Sequence, residues 1–427
     1  MNNIIRLFLA LCLVFSLTAQ AETKEEKKKR EAQEKKEKGS KEKEEIIKIT
    51  EKLTPLKGTT PAQWRLIWTG DAAREITVSW STAEEGKSHK VFFGETEKLG
   101  SEQQCQRSGE YSLDKKEKEK VSPAFFHHAL IKGLKPSTKY YFQMESDGVK
   151  SKIMYFITAP EKGTGFSVIH GGDSRSGHMT RCKVNMMISD LIKKEPKIIA
   201  FAHGGDYIVS GKVWQQWRLW LSHHELTTAE DGRVLPIIPT RGNHDGGPLY
   251  KEIFNVDPKN PDWHTVSIGS EISIVTLDTN VSGAGKQSEW LESELKRLRP
   301  QSKWLLTQYH RPLYPAVKTP PAHTKIFCPI FDKYEVDLAL EADGHCIKRT
   351  VPIKNDKADP TGTVYVGEGG LGVGQRKPSD KHWYLKGGLT GSEHHVMVLD
   401  FSDKELRIRT ILLGGKIFDD HTLKVRK

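Results

Sequence analysis

From Arg74 to Thr82 the chain alternates, with Ile76, Val78 and Trp80 on one face of a half-buried β-strand. Runs of the same period follow at 89–93, 138–145 and 152–158, separated by turn-rich stretches, which predicts a small all-β sandwich. After Ala159-Pro160 the rhythm changes. Short unbroken apolar runs at 166–170, 198–203, 234–239, 271–277, 303–309 and 362–367 alternate with helical periods at 180–194, 213–224 and 287–297. That pattern predicts an α/β fold: a layered β-sandwich flanked by helices, with loops at the strand C-termini where ligands usually bind. Residues 394–412 predict a closing hairpin. The expected boundaries are 59–160 for the small sandwich and 161–427 for the α/β domain.

The beginning of the chain follows neither pattern. Arg6, the apolar run 7–17 and the small-x-small triplet Ala19-Gln20-Ala21 predict a cleaved secretory signal over 1–21, and hence a secreted or periplasmic protein. The run is too short for a bilayer span, and no later segment is long and apolar enough to make one. Residues 22–58 read as a charged, low-complexity linker with little to bury. The net charge of +11 is not concentrated there, because 22–48 carry 11 Lys/Arg against 9 Glu. Elsewhere the excess is scattered, with no basic cluster interleaved with aromatics, so no nucleic-acid partner is indicated. Beyond the signal, Cys105, Cys182, Cys328 and Cys346 are too sparse for a disulfide framework, leave room for one or two bridges of unassigned pairing, and form no C-x-x-C zinc ribbon.

Candidate chemistry lies in five segments, each closing a predicted strand: His170-Gly-Gly-Asp173-Ser-Arg175, Gly204-Gly-Asp206-Tyr207, Gly242-Asn243-His244-Asp245, Gln308-Tyr-His310-Arg-Pro312 and Asp343-Gly-His345-Cys346. Gly-Asp alone closes many strands. Asn beside His at a strand end has few structural uses, and all five in this order argue for a metal site of carboxylate, amide and imidazole donors. Gly367-Glu-Gly369-Gly-Leu-Gly372 satisfies the dinucleotide spacing but follows a late strand and opens no helix, so it reads as a tight loop near the site's rim. The adjacent pairs His127-His128, His223-His224 and His394-His395 point their rings apart and are poor chelators. Asn280-Val-Ser282 fits a glycosylation triplet common by chance, and Ser174 and Ser176 lack a nucleophile elbow.

In these segments, and in Thr276-Leu-Asp278-Thr-Asn280 and His310-Arg-Pro-Leu-Tyr-Pro315, the chain from about residue 60 resembles a purple acid phosphatase-like, calcineurin-type metallophosphoesterase. The stretch 131–141 resembles the late-strand corner of the fibronectin type III-like module that precedes such catalytic domains. The resemblance implies hydrolysis of phosphate mono- or diesters on a phosphorylated small molecule by metal-activated hydroxide. It places Asp206 as a bridging ligand, Asn243, His310 and His345 at the second metal position, and Asp173 at the first. His244 would assist the phosphoryl oxygens or the leaving group. Zn, Mn and Fe all suit the donors, as one ion or two.

The chain also departs from that family. Arg175 stands where Asp-x-His has its histidine, Val209 where a tyrosine ligand is usual, and the second His of Gly-His-x-His is missing after Gly344-His345-Cys346. One outcome is a single ion, with the Arg175 guanidinium supplying charge at the first position and gripping phosphate. The other recruits His170, His178, His203, Tyr207 or Cys346 as replacement ligands. The first is favoured, because a lone His before Gly-Gly more often serves the core. The missing ligands also keep open a rival: a catalytically degenerate binding protein that retains the fold and a structural ion.

Overall fold

Ile76, Val78 and Trp80 are buried as the alternation requires, but so is every residue from Ile76 to Thr82, because both faces of the sheet are covered there: Ile76, Val78 and Trp80 enter one core, and Ser79 and Ser81 bond His128 and Tyr111 on the other side. The neighbours of Glu75–Thr82 are the antiparallel strands Ala62–Ile67 and Phe125–Lys132, with Arg107–Glu110 at the edge. A second sheet joins Ser101–Gln104, His89–Gly94, Lys139–Ser146 and Met154–Ile157. Trp80, Val91, Phe142, Met144 and Phe156 share one core between the two, which makes the small sandwich. The computed structural model describes residues 44–427 apart from 164, 380 and 427, and the isolated positions 27, 30 and 33; the expected signal at 1–21 lies outside the described residues.

The first sheet continues through the boundary expected near residue 160. Ala62–Ile67 pairs in parallel with Pro236–Pro239, Leu66 opposite Pro236 and Ile67 opposite Ile237. One ten-stranded sheet therefore runs from the sandwich through Pro236–Pro239, Ile198–His203 and Ser167–Gly171 to the C-terminal strands His395–Phe401, Glu405–Leu412 and Ile417–Lys424. The closing hairpin thus gains a third strand. A seven-stranded sheet carries Ile272–Thr276, Trp304–Gln308, Leu338–Leu340 and Val364–Gly367 as parallel neighbours. Val168, Ala200 and Ile238 of the first sheet and Ile274, Leu306, Leu340 and Val366 of the second enter one core, so the sheets form two packed layers.

Helices cover the outer faces. His178–Lys194 lays Val184, Ile188 and Ile192 on Ile169, Ile198 and Phe201. Lys286–Leu298 and Thr324–Lys333 pack Leu291, Leu295, Phe327 and Phe331 on Val275 and Leu305. Trp214–His224 contributes Trp214, Trp217 and Trp220 to an aromatic cluster with Tyr207, Tyr250 and Phe254. The fold is thus α/β, two sheets between helices, with an all-β portion ahead of it. Among the described residues no helix is long and apolar enough to cross a membrane, and Cys105, Cys182, Cys328 and Cys346 form no disulfide with one another.

The core also holds many neutral imidazoles. Burial lowers His127 to about 2, His223 and His224 to about 3, His264 and His395 to about 4, and His128 well below its usual value. Below pH 6.5 the unfolded chain would protonate these six while the folded one would not. Burial raises Glu225, Glu368 and Asp245 to about 7, so those three carboxyls take protons first in the folded state and oppose the trend. Six outweigh three. Stability is expected to fall between pH 6.5 and 5 by at least the slope of one net proton, about 1.4 kcal/mol per pH unit. Urea midpoints at pH 7, 6 and 5 check this, and a midpoint that rises towards pH 5 would contradict it.

Candidate metal centre

The five segments leave the C-terminal ends of strands in both sheets. Ser167–Gly171, Ile198–His203 and Pro236–Pro239 deliver Asp173, Asp206 and Asn243 from the ten-stranded sheet; Trp304–Gln308 and Leu338–Leu340 deliver His310 and Asp343 from the other. The site therefore forms where the two layers meet. Asp173 (φ 60°), Asp206 (φ 57°), Asp343 (φ 67°) and His345 (φ 57°) all have left-handed backbones. Such strain costs of order 1 kcal/mol or more per residue and gathers at functional sites. Glycine is required where these turns touch. A Cβ on Gly242 would lie 2.2 Å from the Asp206 amide nitrogen, and one on Gly369 would lie 1.9 Å from Asp173 Oδ2. The glycine-rich run 367–372 is thus a loop laid against the first segment.

Ligand atoms of Asp173, Asp206, His310 and Asp343, all buried, lie within 4.8 Å of one another, the one such cluster among the described residues. His310 is oriented by its backbone partner: Nδ1 lies 2.8 Å from the Gly204 carbonyl, to which it can only donate. Nε2 then faces three oxygens, Asn243 Oδ1 at 3.1 Å, Asp206 Oδ1 at 3.3 Å and Asp343 Oδ1 at 3.6 Å. Burial alone would lower His310, but Asp206 and Asp343 hold its pKa well above the ordinary value. Burial likewise opposes ionisation of Asp206, yet His310 and the His244 amide bring it down to about 2. The cluster thus demands positive charge among its donors.

Two oxygens sharpen that demand. Asp173 Oδ1 and Asp206 Oδ2 are buried and accept no hydrogen bond. Arg175 Nη1 stands 3.6 and 3.5 Å from them, beyond good hydrogen-bond length. A cation touching these oxygens would relieve a costly burial of charge. The donor set of carboxylates, imidazole and amide oxygen therefore fits a hard or borderline metal ion.

Asn243 is exposed, and its side-chain oxygen reaches the cluster through His310. His345 sits on the other side, with Nε2 at 3.1 Å from Arg175 and 3.3 Å from Asp173, so it faces the first position rather than joining Asn243 and His310. His244 donates Nδ1–H to the Val209 carbonyl at 2.7 Å, which turns Nε2 towards Asp206 Oδ2 at 4.0 Å. The residues considered as replacement ligands lie outside the cluster. His170 has both ring nitrogens within 3.2 Å of the Ala202 and Glu341 carbonyls. His203 is bound by the Gly205 amide and stacks on Tyr207, whose ring meets Trp220 edge-on and whose hydroxyl is buried. Burial pushes the Cys346 thiol up, and His178 is exposed at a helix start.

Asp343 belongs to the cluster although sequence reasoning gave it no role. Its signal was present: like Asp173 and Asp206, it is a carboxylate just past a short apolar strand. Asp343 donates its amide to Asp173 Oδ2 at 2.7 Å, and its carboxylate also pairs with Lys318. Asp245 is a positioning residue. Its carboxylate accepts the amides of Gly242 at 2.7 Å, Asp206 at 2.8 Å and Tyr207 at 3.0 Å, and so ties the second segment to the third. Asp245→Ala is expected to weaken metal binding about 10- to 100-fold, as loss of a ligand's support commonly does. Competition with a chromogenic chelator measures it, and unchanged affinity would contradict it.

The N-terminal domain model of purple acid phosphatases matches residues 61–158, and that of calcineurin-like phosphoesterases matches 165–346. The chain belongs to the purple acid phosphatase-like, calcineurin-type phosphoesterases. Within this family it is 24% identical to purple acid phosphatase 1 of Ipomoea batatas over 315 residues, 66% of this chain and 63% of that one. With the purple acid phosphatase of Glycine max the identity is 23% over 353 residues, 72% and 73% of the two chains. The chain thus spans a little under two thirds of the length of the Ipomoea relative. The solved structure of purple acid phosphatase PPD1 from yellow lupin shares the fold at TM-score 0.72 and 18% identity, covering 86% of this chain and 74% of that one.

Proposed function

We propose that the chain hydrolyses esters of phosphoric acid with one metal ion, held by Asp206, His310 and Asp343 with Asn243 at the rim and Asp173 behind. The observation that carries this reading is the His310 ring. Its Nδ1 proton is committed to a carbonyl while Nε2 faces three oxygens. Ligating histidines are commonly held in this way. A bound divalent or trivalent cation supplies Lewis acidity, withdrawing charge from a phosphoryl oxygen and making water acidic enough to attack near neutral pH. Zn, Mn and Fe each suit the donors, and the buried Tyr207 hydroxyl argues against a coloured iron–tyrosinate centre.

The protein's own groups do the rest. Arg175 stands between Asp173 and Asp206, where a second ion would otherwise sit, and offers N–H donors to non-bridging phosphoryl oxygens. His244, with Nδ1 fixed by Val209, presents Nε2 to the same space and can deliver a proton to the departing alkoxide. The substrate is a phosphorylated small molecule. The signal-like sequence at 1–21 supports export to the periplasm or beyond.

Arg175 in the first position also favours the second reading, a degenerate binding protein with a structural ion. Chelator-stripped protein reloaded with Zn, Mn or Fe and assayed on p-nitrophenyl phosphate and bis(p-nitrophenyl) phosphate separates the two. Turnover lost on stripping and regained on reloading is expected. Metal retained without turnover of either ester would favour the binding protein.

A further inference from the structure

A pocket of about 380 Å³ opens beside the centre, and none of the roles above uses it. Its wall is Arg175, His178, Arg181, Ile208, Val209, Gln215, Gln216 and Leu219. Two features tie it to the reacting space. Arg175 belongs to both: Nη1 stands 3.5 Å from Asp206 Oδ2, while Nε and Nη2 make no hydrogen bond to a described residue. Val209 also belongs to both, since its carbonyl fixes His244 and its side chain lines the pocket. The pocket therefore begins where a leaving group departs.

Its chemistry is mixed in a specific way. Val209 and Leu219 are 48% and 37% exposed, two of the few large hydrophobic side chains left open to solvent. Two of the polar groups around them are committed. Arg181 is buried, and its donors go to His223 and the Ser174 carbonyl. Gln216 Oε1 accepts the Val209 and Ser210 amides. What remains for a ligand is aliphatic surface, one guanidinium plane that can stack on a ring, the exposed His178 imidazole, and the amides of Gln215 and Gln216.

We propose that this pocket receives the alcohol portion of the ester, and that the preferred substrates are phosphate esters of bulky aromatic alcohols rather than of small polyols. The proposal rests on the phosphoesterase reading. Arg175 then grips the phosphoryl group with one edge and covers the aromatic ring with the rest, and Val209 and Leu219 close over the ring's apolar side. With valine three residues after Asp206, where the family usually has a metal-binding tyrosine, this wall faces a substrate instead.

The test compares the affinities of 1-naphthyl phosphate and inorganic phosphate, by calorimetry on metal-loaded protein under conditions too brief or too cold for turnover. Wild type is expected to bind the naphthyl ester at least ten-fold tighter. Leu219→Asn, an exposed change that leaves the core intact, is expected to cut that advantage at least three-fold, whereas Ile417→Asn on the distant C-terminal strand leaves it intact. Equal affinities in wild type, or the same ratio in Leu219→Asn, would overturn the pocket while leaving the phosphoesterase reading in place. Failure to bind either phosphate compound would overturn both.

Discussion

His310→Ala is expected to lower kcat/KM on any phosphate ester by more than 100-fold, while the protein stays folded. The imidazole bonds the Gly204 carbonyl and sits among Asn243, Asp206 and Asp343, so its removal takes a donor from the cluster and leaves two buried carboxylates facing one another without it. Losing mere support around a metal ligand costs about 10- to 100-fold, and loss of the ligand itself should cost more. The cavity opens at the loop end of the sheets rather than in the apolar core, so the melting transition should remain cooperative. The check is paired steady-state kinetics and thermal unfolding of wild type and variant. Activity within ten-fold of wild type would mean that His310 is a packing residue.

Lys348→Met is expected to destabilise the fold by about 3–5 kcal/mol, the usual consequence of stripping one member from a buried ion group. Lys348 is fully buried with Glu341 and Glu368, pairing with the first, reaching the second at 2.9 Å and the Tyr314 carbonyl at 2.8 Å. Burial alone would depress its pKa, but the two carboxylates hold it above the ordinary lysine value. Those carboxylates have further work: Glu341 accepts the Tyr309 hydroxyl and the Leu313 amide at 2.7 Å, and Glu368 accepts the Ala316 amide at 2.7 Å. The group therefore ties the loop that carries His310 to the strand that follows His345. Methionine fits the volume but leaves two acids without a counter-charge. Urea unfolding measures the loss, and Lys348→Met combined with Glu341→Gln and Glu368→Gln should recover part of it. An unchanged midpoint in the single variant would show that the triad contributes no net stability.

Where the apolar pattern was unbroken or regularly periodic, the sequence located elements well: the strand at 198–203 becomes Ile198–His203, and the helical period at 287–297 becomes the core of the helix Lys286–Leu298. Ala62–Ile67 escaped notice because it contains Gln63 and Arg65, both buried. Arg65 is satisfied by the Ile253 and Gln63 carbonyls and the Tyr111 hydroxyl, partners far away in sequence that no local pattern reveals. Thr324–Lys333 escaped because Pro329 lies inside it. In the site, motif spacing located the strand ends that bring Asp173, Asp206 and His310 together. It could not give the direction of His345 or the part taken by Asp343, since both depend on left-handed backbone at consecutive turns of one loop, which residue types alone do not announce. Arg175 was legible as a substitution, and its position between two buried carboxylates needed coordinates.

The most direct measurement is anomalous diffraction from a crystal loaded with Mn or Zn. The expected result is a single strong peak in contact with His310 Nε2 and Asp206 Oδ1. No peak there after loading, or a peak elsewhere in the molecule, would contradict the claim that these side chains exist to hold a cation.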